Sequence, residues 1–356
     1  MMTKELKLKL KELSLLPGTP SREKLVKQYI EKEIKSDVDE LLYDNLGSII
    51  GHKKGNGPKV MIAGHMDEVG LLVTQITKKG FIKFQTLGGW YSQVMLAQVW
   101  DIHTDQGVVK AISGSKPPHL ISAAKKKEAI KLEDIYLDVG ATSKEEAMAF
   151  GILPGQMITP AATFIEMKNP KYLVSKAWDN RIGSAVVIEV LKRVKDLELA
   201  CDFYTGFNVQ EEVGIRGAKT SSYVVNPDVA IAVDTGIGND VPHGDPEEQT
   251  LGAGPQIVVY DLGLLPHRGL RNHMIEVAKE NKIPYQQASI NVGRTDAAMM
   301  HLSKDGALGL SICIPTRYMH SHTSMIHTDD FESTVELIVS FLKSFSNETF
   351  NQLVKE

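Results

Sequence analysis

Several apolar, β-branched runs along this chain stop abruptly at a histidine or a carboxylate, and that pattern limits the fold more than any other feature. Lys59–Gly64 (KVMIAG) leads straight into His65, as expected of a buried strand that delivers an imidazole at its C-terminal tip. Ala200–Gln210 (ACDFYTGFNVQ) runs into Glu211 and Glu212, VAIAVD ends at Asp234, and GALGLSICIP stops just before His320. In open α/β sheets sites form at such tips, so these distant segments are expected to meet. Helical patterns lie between them, over Ile182–Val194, over Leu270–Glu280, and from near Asp330 with Phe331, Val335, Leu337, Ile338 and Phe341 as apolar positions.

The N-terminal part reads as a helix over Thr3–Leu16 stopped by Pro17-Gly18. Ser21 is then expected to cap a second helix with Leu25, Tyr29, Ile30 and Ile34 on one face, and a hairpin should turn at Asp44–Gly47. After His65 the texture changes. Short β-like segments (LLVTQIT, FIKF, QVWDIHT, GVVKAI) are separated by Lys-Gly, Gly-Gly and Gln-Gly turns. A basic stretch at Lys125–Lys127 reads as a solvated loop, a short helix follows over Ser143–Phe150, and the strand–helix alternation resumes after about Thr163. The whole is an α/β domain interrupted by a β-rich insertion.

Composition narrows the function. With 356 residues, 42% hydrophobic and 24% charged, the chain has room for about two domains. Its net charge of −4 lacks the basic footprint of a nucleic-acid binder, and no run approaches the roughly 20 apolar residues of a membrane span. The only cysteines, Cys201 and Cys313, sit in apolar runs and read as reduced, so a cytoplasmic location is expected.

Glu211 and Glu212 are neighbours, and on a regular strand neighbours point to opposite faces. They can serve one site only where the backbone turns irregular, for which Gly214 and Gly217 were the expected cause. Alone, a Glu-Glu pair is most often a solvated strand end. Its company argues otherwise: His65 and Asp67 in GHMDEVG, Asp179 in AWDNRIG, Asp234 in AVDTG and His320 in RYMHSH. Imidazole with carboxylate suits Zn, Co or Mn, and the lack of thiolates argues against a structural zinc. A single catalytic zinc would leave carboxylates over, whereas two ions sharing a bridging carboxylate would use them and leave one acid as general base. His52, His103, His119, His243, His267, His273, His301 and His327 read as structural or exposed. The chain has neither a G-x-S-x-G elbow nor a phosphate-binding glycine loop, and adjacent glutamates cannot easily flank a glycosidic bond.

Together AGHMDEVG, LGGW (Leu87–Trp90), PPH (Pro117–His119), SKAWDNRIG, NVQEEVGIRGA, AVDTG, LGAGP, GRTDAA and RYMHSH resemble the M42 cocatalytic metallopeptidases, over essentially the full length. The resemblance implies a mixed-sheet di-metal peptidase domain, residues 1–71 plus 163–356, and an inserted β-rich domain, 72–162, that drives dimer contacts and assembly into tetrahedral dodecamers. It implies that His65, Asp179 and Asp234 hold one divalent ion and that Asp179, Glu212 and His320 hold the other. Glu211 is then the general base and Asp67 orients His65. The implied activity is removal of N-terminal residues from short peptides. The alternatives are a metal-dependent deacylase of N-acyl amino acids and a non-catalytic assembly protein. Arg294 stands where many members carry glycine and His322 where many carry proline. Arg294, with His322 as a second donor, is expected to favour acidic N-terminal residues.

Overall fold

The computed structural model of the chain describes residues 2–123, 127–244 and 249–355. Lys125 and Lys126, expected in a solvated loop, lie outside the described residues. The chain opens with α1 (Lys4–Leu15) and α2 (Lys24–Ile34), then β1 (Glu40–Tyr43), β2 (Ile49–Lys53) and β3 (Lys59–His65). Six strands follow, β4 (Gly70–Ile76), β5 (Ile82–Leu87), β6 (Val99–Thr104), β7 (Gly107–Gly114), β8 (Tyr136–Asp138) and β9 (Met157–Pro160), with α3 (Lys144–Ala149) before the last. After β10 (Ile165–Glu166) and β11 (Tyr172–Ser175) come α4 (Trp178–Val194), β12 (Asp202–Asn208), α5 (Arg216–Val225), β13 (Val229–Ile237) and β14 (Gln256–Asp261). The chain finishes with α6 (Arg268–Glu280), β15 (Gln286–Ile290), α7 (Ala297–Met300), β16 (Leu308–Thr316), β17 (Ser324–His327), α8 (Thr328–Ser344) and α9 (Asn347–Leu353).

Eight strands form a mixed sheet in the order β1-β2-β12-β3-β13-β16-β14-β15. Its centre, β12, β3, β13 and β16, is parallel, which brings the C-terminal ends of those strands to one edge. Side chains alternate across it as period two requires. Val60 and Ile62 of β3 join the large core formed with α1, α2, α4, α6 and α8, while Met61 and Ala63 face a smaller core with α5 and α7. The layers pack closely enough to need glycine: a Cβ on Gly64 would lie 2.8 Å from the α4 backbone at Gly183 and Ser184. Strands β4 to β9 close into a barrel around their own core, including Leu71, Val73, Ile82, Trp100, Ile102 and Ile158. Its first strand begins at Gly70, slightly ahead of the expected Leu72.

Several expectations need correction. Ser21 does not cap α2: its φ is +69°, Glu23 holds the cap position, and no side chain makes the cap bond. The buried stripe of α2 is Val26, Ile30 and Ile34, and Leu25 is exposed. Asp234 does not end its strand, because β13 continues to Ile237 with Asp234 paired opposite Cys313. Gly217 does not break structure either. It lies in the first turn of α5, where a Cβ would come within 2.4 Å of the Val209 carbonyl oxygen. Helix α5 escaped the sequence reading because its buried face, Gly217, Ala218, Ser221, Ser222 and Val225, is mostly small and polar.

Candidate active site

Each residue of the cluster is held by a different local device. His65 ends β3, its side chain on the α5/α7 face with that of its cross-strand neighbour Asn208. Asp179 lies at the start of α4 where the backbone is not yet helical (φ −79°, ψ 106°), and regular helix begins beyond Asn180. Asn180 makes this possible: its Oδ1 accepts from Gly183 N at 2.9 Å, as an N-cap does, while its Nδ2 donates to the Val233 carbonyl at 2.8 Å. Glu211 and Glu212 follow β12 in a turn entered through Gln210 at φ +57° and closed by Gly214 and Ile215 N–H groups on the Glu211 carbonyl. His320 comes from the loop between β16 and β17, at φ +54°.

These devices bring the expected residues together. His65 Nε2 lies 3.3 Å from Asp179 Oδ1 and 3.8 Å from both Asp234 Oδ1 and Glu211 Oε2. His320 Nε2 lies 3.2 Å from Asp179 Oδ2 and 3.7 Å from Glu212 Oε2. The two oxygens of Asp179 thus face different histidines. Donor atoms arranged tetrahedrally about a zinc-sized ion stand about 3.4 Å apart, given metal–ligand bonds of about 2.1 Å, so both spacings suit an ion between them. His65, Asp179 and Asp234 form one such group and Asp179, Glu212 and His320 the other.

Both histidines present the nitrogen an ion requires. His65 Nδ1 donates to the Asp67 carbonyl (3.1 Å) and His320 Nδ1 to the Gly89 carbonyl (2.6 Å), so in each ring Nε2 is the nitrogen turned toward the carboxylates and the one an ion would take in place of a proton. The tether on His65 is the main chain of Asp67, with its carboxylate 3.5 Å away. That carboxylate does something the sequence did not suggest: it accepts from the backbone N–H of Glu211 (3.0 Å) and of Glu212 (3.1 Å).

Electrostatics point the same way. Burial pushes the carboxyls of Glu211 and Asp234 well above the usual range and that of Glu212 up to about 8, with neighbouring carboxylates adding to each. Burial disfavours a charged His320, yet Glu212 and Asp179 outweigh it and raise the imidazole to about 10. So many acids in one buried space call for positive charge. Glu212 Oε1 is also buried with no hydrogen-bond partner among the described residues, an orphan that a cation would satisfy.

Arg294 and His322 are not brought into this cluster. Arg294 is exposed, packs over Gly263 at the end of β14, and forms no ion pair among the described residues; Asp296 instead accepts from Asn208 Nδ2 at 2.8 Å. His322 is buried, edge-on to Trp100 at 4.2 Å between centroids and 5.9 Å from Trp90, with Nε2 on the Val99 carbonyl. Burial lowers it to about 4, in keeping with its packing against the two rings. Sequence reasoning also missed the supports of the Met66–Glu68 loop. Arg181, fully buried, donates to the carbonyls of Met66, Leu13, Leu16 and Gly18, and Glu68 pairs with buried Lys176. A lone Arg in AWDNRIG carries no signal that it will be buried.

A family model for M42 glutamyl aminopeptidases matches residues 47–337. The chain belongs to that family. It is 34% identical over 345 residues to the glutamyl aminopeptidase of Lactococcus lactis, covering 96% of each chain. It is 33% identical over 347 residues to the lysyl aminopeptidase of Pyrococcus furiosus, covering 96% of this chain and 98% of that one. Among solved structures, the TET1 peptidase of Pyrococcus horikoshii, described as assembling into a tetrahedron or a large octahedral shell, superposes with a TM-score of 0.86. Identity there is 30%, over 96% of this chain and all of the other. The chain is therefore a hydrolase of an aminopeptidase family, with the mixed α/β fold of its relatives. No helix among the described residues is long and apolar enough to cross a membrane.

Proposed function

We propose that this protein is a di-metal aminopeptidase that removes N-terminal residues from short peptides. One observation carries the reading: two ligand groups share Asp179, and Glu211 stands beside them as a member of neither. The donor set of imidazole and carboxylate suits Zn or Co, with Mn as the harder alternative. When bound, a pair of such ions polarises the scissile carbonyl and acidifies water. Glu211, whose carboxyl is raised chiefly by burial, accepts the proton of the attacking water and returns it to the leaving amine. Asp67 fixes the direction of both glutamates through their N–H groups, so the base cannot drift from the ligand beside it in sequence. Binding alone requires no such base, which disfavours a non-catalytic assembly protein.

Assembly into a tetrahedral dodecamer built from dimers belongs to the same proposal. Its supports are the described assembly of the TET1 relative and the exposed Val99, Val108 and Ile112 on β6 and β7. A cytoplasmic location agrees with two buried free cysteines. Acidic preference rests on Arg294 alone, and relatives named for glutamyl and for lysyl substrates show that the family spans both charges.

The test is Glu211→Gln in Zn- or Co-loaded protein, assayed on free-amine and N-acetylated peptides. Turnover of free-amine substrates should fall about 10² to 10⁴-fold with two ions per chain retained. Loss of an ion would make Glu211 a ligand, and wild-type turnover of acetylated substrates would favour the deacylase.

A further inference from the structure

Three consecutive backbone N–H groups at the proposed base each meet a buried carboxylate. Glu211 and Glu212 donate to Asp67, and Gln210, just before them, donates to Glu23 Oε1 at 3.1 Å. Glu23 comes from the N-terminal region, 187 positions away in sequence, and is 6% exposed. The same oxygen accepts from Ser21 N at 2.8 Å. Glu23 occupies the cap position of α2, yet its side chain makes no cap bond to that helix. It is turned away from its own element and toward the catalytic loop.

The geometry it meets there is unusual. Gln210 at φ +57° and Ser21 at φ +69° are both left-handed non-glycine residues, and one carboxylate oxygen ties their N–H groups together. Such a conformation persists only where the surroundings impose it. Without Glu23, the Gln210 N–H loses its carboxylate partner, and of the two acids that hold the turn from outside only Asp67 remains.

We infer that Glu23 is a positioning residue for Glu211: by receiving the Gln210 N–H it sets the turn from which the base faces His65. The inference rests on the aminopeptidase reading above. The substitution that tests it leaves Asp67 and every proposed ligand in place.

Glu23→Met fills the same volume without an acceptor, whereas Glu23→Gln keeps an acceptor oxygen. In full-length, metal-loaded protein, Glu23→Met should lower kcat by about 10- to 100-fold with KM changed by less than about threefold, the pattern of a displaced catalytic group. Two ions per chain should remain, and hydrogen exchange of the segment 207–215 should quicken. Glu23→Gln should stay within about threefold of wild type in both readouts. Glu23→Asp, which withdraws the acceptor by one methylene, carries the same test if the Met variant does not fold. Wild-type kcat and exchange in the Met variant would overturn the inference, as would a Gln variant as impaired as Met, or loss of an ion. A wild-type protein without turnover would instead remove the aminopeptidase reading, and exchange alone would then decide whether Glu23 holds the loop.

Discussion

The two halves of the acidic cluster are built by different means. His65 and Asp234 rise from the central strands β3 and β13, His65 paired with Asn208 of β12 and Asp234 with Cys313 of β16, and the His65 side chain is 1% exposed. Glu212 and His320 sit on loops, and the His320 side chain is 38% exposed. What steadies the second half is the barrel. Gly89 supplies the carbonyl that holds His320 Nδ1, and the neighbouring Gly88, at φ +83°, lies so close that a Cβ there would sit 2.8 Å from Glu212 Oε2. Two residues beyond His320, His322 enters the pocket of Trp90 and Trp100 and ties the loop to the barrel wall. A strand residue such as His65 is held by its own strand and the loop that follows it, whereas a loop residue such as His320 is held by a second body.

Asp179 belongs to both halves, and removing it should erase the difference between them. Asp179→Ala is expected to lose both ions together and to lower turnover by roughly 10³-fold or more, since metal polarisation contributes several kcal/mol. Metal analysis beside kinetics checks this. Retention of one ion would show that the halves are independent.

Excising Leu72–Ala162 and joining the ends with a short Gly/Ser linker removes the barrel and separates the halves. The barrel has its own core, so the remaining sheet domain should fold. It should keep one ion at His65 and Asp234, lose the other, and run as a monomer in light scattering. Two tightly bound ions would mean that the loop half needs no barrel, and a persistent large assembly would place the interface elsewhere.

His322→Ala is the milder version of that cut. Affinity for one ion should weaken by about 10-fold, the lower end for loss of an outer support, while the other ion binds as before. Titration calorimetry of the metal-free protein resolves the two, and equal weakening of both would spoil the comparison.

The smallest expected effect concerns Arg294, which touches neither half. If its guanidinium reaches an acidic N-terminal side chain, Arg294→Gly should cost about 1.5 to 3 kcal/mol in transition-state binding for Glu-p-nitroanilide and little for Leu-p-nitroanilide. Equal kcat/KM changes for the two substrates would take Arg294 out of the pocket.

Much of this architecture was legible in the linear chain. The β-branched runs announced β3, β12, β13 and β16, because burial on both faces demands continuous apolar sequence. The residues of the cluster stood out because polar groups followed or interrupted such runs, although only His65 proved to sit at a strand tip. Glu23, Arg181, Asn180 and the Gly88-Gly89 carbonyl wall were not. Each joins a side chain to the main chain of a distant segment, and a hydrogen bond to a backbone atom leaves no mark on the identity of the residue that supplies that atom. His322 shows the reverse limit: a histidine close to His320 invited a chemical role, and only the fold revealed two tryptophans enclosing it. The sequence by itself thus determined which groups could do chemistry and which strands would carry them. The tertiary structure decided how they are aimed, because aim depends on contacts between segments as far apart as Glu23 and Gln210, which local pattern cannot encode.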